Sequence, residues 1–102
     1  MHIELTSANF DKEVFQSDKP VLVDFWADWC APCRMLGPVV EEVAQENPQI
    51  KVGKLNVSEY PDIAEKFGVM SIPTLIFFKD GKGVDASVGL VPKSKIQQLI
   101  SK

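Results

Sequence analysis

Apolar residues fall in short blocks along this chain, and their spacing changes from block to block. Val21-Leu22-Val23-Asp24-Phe25-Trp26-Ala27 is nearly continuous and rich in β-branched and aromatic side chains, the pattern of a strand buried on both faces. Leu36, Val39, Val40, Val43 and Ala44 then follow at helical spacing, which predicts a helix from about Pro32 to Glu46. Pro38 falls inside it and removes the bond to the Arg34 carbonyl, predicting a kink. Ahead of the first block, Thr6-Ser7 followed by Phe10, Val14 and Phe15 reads as a capped, short amphipathic helix.

Val52 to Val57 reads as a second strand, and Ile63, Ala64 and Phe67 as a short helix that stops at Gly68. Thr74-Leu75-Ile76-Phe77-Phe78 is a third strand, Asp80-Gly81 a hairpin turn, and Val84 to Val88 the strand that pairs back until Gly89 breaks it. Pro92 is placed to open a last helix with Ile96, Leu99 and Ile100 on one face. Strands alternating with helices, then a hairpin and a helix, predict an α/β sandwich with a mixed central sheet.

At 102 residues the chain suits one domain spanning 1–102, with no visible linker or repeat. Hydrophobic residues make up 45% and charged residues 25%, enough for a core and too little charge for disorder. A net charge of −3 with dispersed Lys and Arg excludes a nucleic-acid or anionic-membrane surface. No apolar run approaches the roughly 20 residues of a membrane span. Met1-His2-Ile3-Glu4-Leu5 has no charged region leading into an apolar stretch, so the expected location is the cytoplasm.

The only two cysteines lie in Trp29-Cys30-Ala31-Pro32-Cys33. In a reducing compartment such a pair reads as catalytic or metal-binding before structural. Residues three apart in a first helical turn have Cβ atoms roughly 5–6 Å apart. A disulfide needs about 3.8 Å, so a small adjustment joins or parts them. Closing a loop of about four residues stabilises by only ~2 kcal/mol, too little for a structural staple. Zinc needs about four ligands, and the chain offers two cysteines and one distant histidine, His2. A c-type haem needs His after the second Cys, where Arg34 stands. The strand ending near Ala27 delivers Cys30 to a helix N-terminus, where orphan N–H groups favour a thiolate. Cys30 is therefore expected as the exposed nucleophile and Cys33, one turn inside, as the more buried resolving thiol. Pro32 fits the first turn and stiffens the loop between the sulfurs.

Val23-Asp24-Phe25-Trp26-Ala27-Asp28-Trp29-Cys30-Ala31-Pro32-Cys33 resembles the active-site segment of the thioredoxin family. Lys54-Leu55-Asn56-Val57, Ile72-Pro73-Thr74, Phe78-Lys79-Asp80-Gly81 and Val88-Gly89 resemble its later landmarks, and the likeness runs from about Ile3 to Ile100. The resemblance implies a three-layer sandwich with a five-strand mixed central sheet flanked by four helices. It implies a protein dithiol–disulfide oxidoreductase that reduces target disulfides through a reversible Cys30–Cys33 bond, an electron carrier in cell redox homeostasis. No bound cofactor is implied; NADPH enters indirectly, through a thioredoxin reductase. The expected partners are that reductase and disulfide-bearing proteins, and the expected state is a monomer. One departure is Ala31, where the family usually has Gly; a changed redox potential or partner choice is expected, with activity kept.

Asp24 stands in an apolar strand, where desolvation raises a carboxyl's pKa. The resemblance makes it the proton acceptor for Cys33, through water, with Lys54 on a neighbouring strand as its partner. Ile72-Pro73 would be trans on base rates; the resemblance makes it cis and sets Pro73 against the disulfide, leaving the backbone at Ser71 and Ile72 free to pair with an extended substrate. Trp29, Ala31, Pro32, Ile72, Pro73, Gly89 and Leu90 would form a flat apolar rim around Cys30, suited to weak docking of many protein disulfides. Trp26 is expected in the core, Met35 and Met70 receive no role, and His2 reads as a terminal residue. The alternatives are an interaction module or complex subunit with incidental thiols, and an oxidase or isomerase of the same fold in an oxidising compartment.

Overall fold

A computed structural model describes residues 1–102. In chain order it contains β1 (Ile3–Leu5), α1 (Asp11–Phe15, wound as a π-helix), β2 (Val21–Trp26), α2 (Ala31–Glu46), β3 (Lys51–Asn56), α3 (Pro61–Lys66), β4 (Thr74–Lys79), β5 (Lys82–Val88) and α4 (Lys93–Leu99). The strands form one five-stranded sheet in the order β1-β3-β2-β4-β5. β1, β3 and β2 are parallel, whereas β4 runs antiparallel to both β2 and β5. This is the mixed, helix-flanked sheet that the alternation of apolar blocks predicts, with four strands and the helices close to their expected bounds; the apolar pattern does not show the short edge strand β1, and a fifth strand is expected only from the family resemblance.

The near-continuous apolar block became the middle strand because both faces are covered. Val21, Val23 and Phe25 face one way, joining Leu5, Phe10, Val14, Leu55, Ile63, Ala64 and Phe78 in a core beneath α1 and α3. Edge-to-face contacts among Phe10, Phe15 and Phe78 fill this layer. Leu22 faces the other way, with Val52, Leu75 and Phe77 against Leu36, Val40 and Val43 of α2 and Ile96 and Leu99 of α4. Strand alternation puts Asp24 on this second face, under α2.

Local signals close the elements as the sequence implies. Thr6 Oγ1 accepts from the Ala8 and Asn9 amides at 3.2 Å and caps the turn into α1. Asp80 and Gly81 both have positive φ, 52° and 78°, which matches the twist of the β4–β5 hairpin. Helix α2 runs unbroken through Pro38. Where β1 meets β3, Gly53 lies against Leu5 so closely that a Cβ there would sit 2.5 Å from the Leu5 Cδ1.

Candidate active site

β2 ends at Trp26, and Ala27, Asp28 and Trp29 carry the chain over the sheet's end to Cys30, the N-cap of α2. The Cys30 backbone is extended, and its Sγ accepts from the Cys33 amide at 3.2 Å, the bond an N-cap side chain makes. Pro32 occupies the first turn without leaving a donor unpaired. Cys30 and Cys33 are joined in a disulfide across a Cα separation of 5.3 Å, well inside the usual span. The expected contrast between an exposed Cys30 and a buried Cys33 is absent: the two are 5% and 3% exposed. In the oxidised pair each sulfur shields the other, and Trp26, Val57 and Ile72 pack around both.

Asp24 is 1% exposed, and neither carboxylate oxygen has a hydrogen-bond partner. Burial pushes its carboxyl up from 3.8 to about 6, against the opposing pull of the Lys54 ammonium and, less, of His2. Register sets Lys54 directly beside Asp24. The expected partnership is electrostatic only, because Lys54 makes no ion pair with Asp24; its Nζ lies 5.1 Å from the centre of the Trp26 ring.

The Ile72–Pro73 bond is cis. The Ile72 carbonyl oxygen lies 3.9 Å from Cys30 Sγ, which fixes this loop beside the disulfide. The Gly89 amide donates to the Pro73 carbonyl at 2.8 Å and, with φ of 92°, turns the chain away as β5 ends. Trp29 is 71% exposed, and Ala31, Pro32 and Leu90 are exposed with it. Half-buried Ile72 and Gly89 complete the rim from the other side, whereas Pro73, expected in the rim, is buried beneath it because its carbonyl is tied to the Gly89 amide. The arrangement is a reversible sulfur pair at a polarised helix end, above a buried acid and inside an open apolar face.

The thioredoxin family model matches residues 1–102. The chain is 52% identical over 99 residues to thioredoxin 1 of Synechococcus elongatus, covering 96% of this chain and 92% of the relative. It is 52% identical over 100 residues to thioredoxin 1 of Nostoc sp., covering 97% and 94%. A thioredoxin of the alga Porphyra purpurea is 50% identical over 100 residues, again covering 97% and 94%. The chain belongs to the thioredoxin family. It is a protein dithiol–disulfide oxidoreductase whose redox group is the Cys30–Cys33 pair, and its partners in general are disulfide-bearing targets and a thioredoxin reductase that recharges it.

Sequence reasoning missed a polar brace behind this thioredoxin site. Arg34 Nη1 donates to the Asp28 carbonyl at 2.8 Å, and Asn56 Nδ2 donates to Asp28 Oδ2 at 3.3 Å. Asn56 Oδ1 accepts from the Ser58 amide at 2.9 Å, and Ser58 Oγ accepts from Trp29 Nε1 at 3.0 Å. The brace ties the Trp29 loop to the end of β3. Its one sequence signal is an amide, Asn56, closing an otherwise apolar strand end. His2, which the sequence gives only as a terminal residue, bonds Glu41 and Glu4 at once.

Proposed function

We propose that this thioredoxin is a general reductase of protein disulfides, with Cys30 as attacking and Cys33 as resolving sulfur. The Cys30 thiolate attacks one sulfur of the target disulfide, forming a mixed disulfide and releasing the other target sulfur as a thiolate. Cys33 then attacks Cys30 Sγ, so the second target sulfur leaves and the Cys30–Cys33 bond forms. Two electrons pass to the target, which takes up two protons. The observation that supports this order is the N-cap position of Cys30: its sulfur receives the Cys33 N–H at 3.2 Å, a bond that strengthens when the sulfur is anionic. Cys33 has no such donor at a helix end and needs a base.

Asp24 serves as that base, taking the Cys33 proton through water; a carboxyl pushed up to about 6 is mostly ionised at neutral pH and binds a proton more readily than an ordinary carboxylate. Lys54 keeps it ionisable. Pro73 shapes the docking groove, Ile72 offers its backbone to the extended target, and Trp29, Ala31, Pro32 and Gly89 supply the flat apolar contact. The protein works as a single-domain monomer in the cytoplasm, drawing electrons from NADPH through its reductase. Cys33→Ser should accumulate mixed disulfides on Cys30, and adding Cys30→Ser should abolish them. Partner binding that persists without either thiol would favour an interaction module instead.

A further inference from the structure

Asn56 closes β3 and is 7% exposed, a buried amide at the border of the redox site. It stands beside Trp26 in the β2–β3 register, and the Val57 amide donates to the Trp26 carbonyl at 2.8 Å, which locks the two strand ends together. The Asn56 carbonyl accepts from the Glu59 and Tyr60 amides at 3.2 and 3.0 Å, and this opens the turn into α3. The side chain reaches two further segments. The Ser58 amide, which can only donate, lies 2.9 Å from Oδ1. That contact turns Nδ2 towards the Asp28 carboxylate, at 3.3 Å. Arg34 of α2 holds the Asp28 carbonyl from the other side. Asp28 and Ser58 are the two supports of Trp29: one precedes it in the chain, and the other accepts its indole N–H at 3.0 Å. An indole 71% exposed has little packing to restrict its rotamers, so this network settles where the ring lies.

We propose that Asn56 is a positioning residue for target recognition: one side chain sets both Ser58 and Asp28, and so holds the Trp29 ring in the pose against which a protein disulfide docks. The role rests on reading Trp29 as part of the docking face. A carboxamide suits it because it offers an acceptor and a donor at once. Aspartate in its place would keep the acceptor for Ser58 but turn a carboxylate towards that of Asp28. A ring already held in place spares the complex the entropy of ordering it, worth about two- to tenfold in affinity. A small disulfide that meets only the sulfurs gains nothing from the ring. The network therefore favours disulfides carried by proteins over small ones.

The test compares single-turnover exchange of the reduced full chain with insulin and with hydroxyethyl disulfide, beside nitrogen relaxation of the Trp29 indole N–H by NMR. Asn56→Asp and Ser58→Ala should each loosen the indole and slow exchange with insulin about two- to tenfold, while exchange with hydroxyethyl disulfide keeps the wild-type rate. Ser58 is exposed, so Ser58→Ala reads the same link without disturbing buried packing. Adding Asp28→Asn to Asn56→Asp restores a donor–acceptor pair of reversed polarity and should recover both the rigid indole and the insulin rate. An indole as rigid in both single variants as in the wild type overturns the proposal, and so does a double variant that recovers neither readout. Equal slowing with both disulfides also overturns it, because the network would then act on the thiols and not on docking. Trp29→Ala separates the proposal from its premise. Slower insulin exchange in Trp29→Ala but not in Asn56→Asp or Ser58→Ala removes the positioning role alone; insulin exchange untouched by Trp29→Ala removes the docking reading and the role with it.

Discussion

Replacing Asp24 by Asn should stabilise this protein, and the gain should grow with pH. The carboxyl rises from 3.8 to about 6 on folding, chiefly by burial. Between those values the folded chain holds a proton that the unfolded chain has released. Folding then takes up protons, so stability falls as pH climbs through this window and levels off above it. A shift of this size corresponds to about 3 kcal/mol at ~1.4 kcal/mol per unit. Asn carries no charge at any pH and resembles the protonated acid in shape and in its unpaired polar atoms, so its curve lacks the fall. Urea unfolding of the oxidised protein should therefore show variant and wild type nearly equal at about pH 4 and separated by about 3 kcal/mol at about pH 8. In thermal melts the separation at high pH would be on the order of 10–20 °C. The same variant should slow disulfide exchange near neutrality while it stabilises the fold. Parallel stability curves, with a gap independent of pH, would refute the claim that Asp24 is buried against its charge.

Further outcomes follow from other parts of the site and sheet. Lys54→Met removes the main pull on the Asp24 charge, so the Asp24 carboxyl should titrate higher than in the wild type, read by carboxyl NMR. Gly53→Ala forces a Cβ to 2.5 Å from the Leu5 Cδ1 and should destabilise by about 1–3 kcal/mol in urea unfolding, with exchange chemistry kept in the folded fraction. Trp29→Ala deletes an exposed ring held only by its bond to Ser58, so stability should change by about 1 kcal/mol or less. Exchange with protein disulfides should slow more than exchange with a small aromatic disulfide, because only the former needs the apolar rim.

The chain alone determined four of the strands and the helices, because each of those apolar blocks carries its own period and each end its own stop signal; three-residue β1 is too short to show a period and forms only by pairing with β3. Val21 to Trp26 had to be covered on both faces, Asp80-Gly81 had to turn, and Cys30 had to begin a helix, all from local chemistry. The sulfur pair was legible for the same reason: its parts lie within four residues of one another. Sequence also marked Asp24 as an acid out of place in an apolar run, and Ile72-Pro73 and Gly89 as landmarks by resemblance.

Only the folded sheet decided what surrounds them. Distances between residues far apart in the chain depend on register and packing, which no local pattern encodes. Register put Lys54 beside Asp24, yet packing sent its ammonium over Trp26, so the pair acts through space and not through a bond. Folding linked Trp29 to Ser58 and Asp28 to Asn56, and so fixed a ring that the sequence could only assign to the rim. It equalised the exposure of two sulfurs that helix position had ranked. It also brought His2 between Glu4 and Glu41, from opposite sides of a strand–helix interface. A lone histidine near one end carries no pattern, and its bonds to two glutamates follow only from what the fold packs against it.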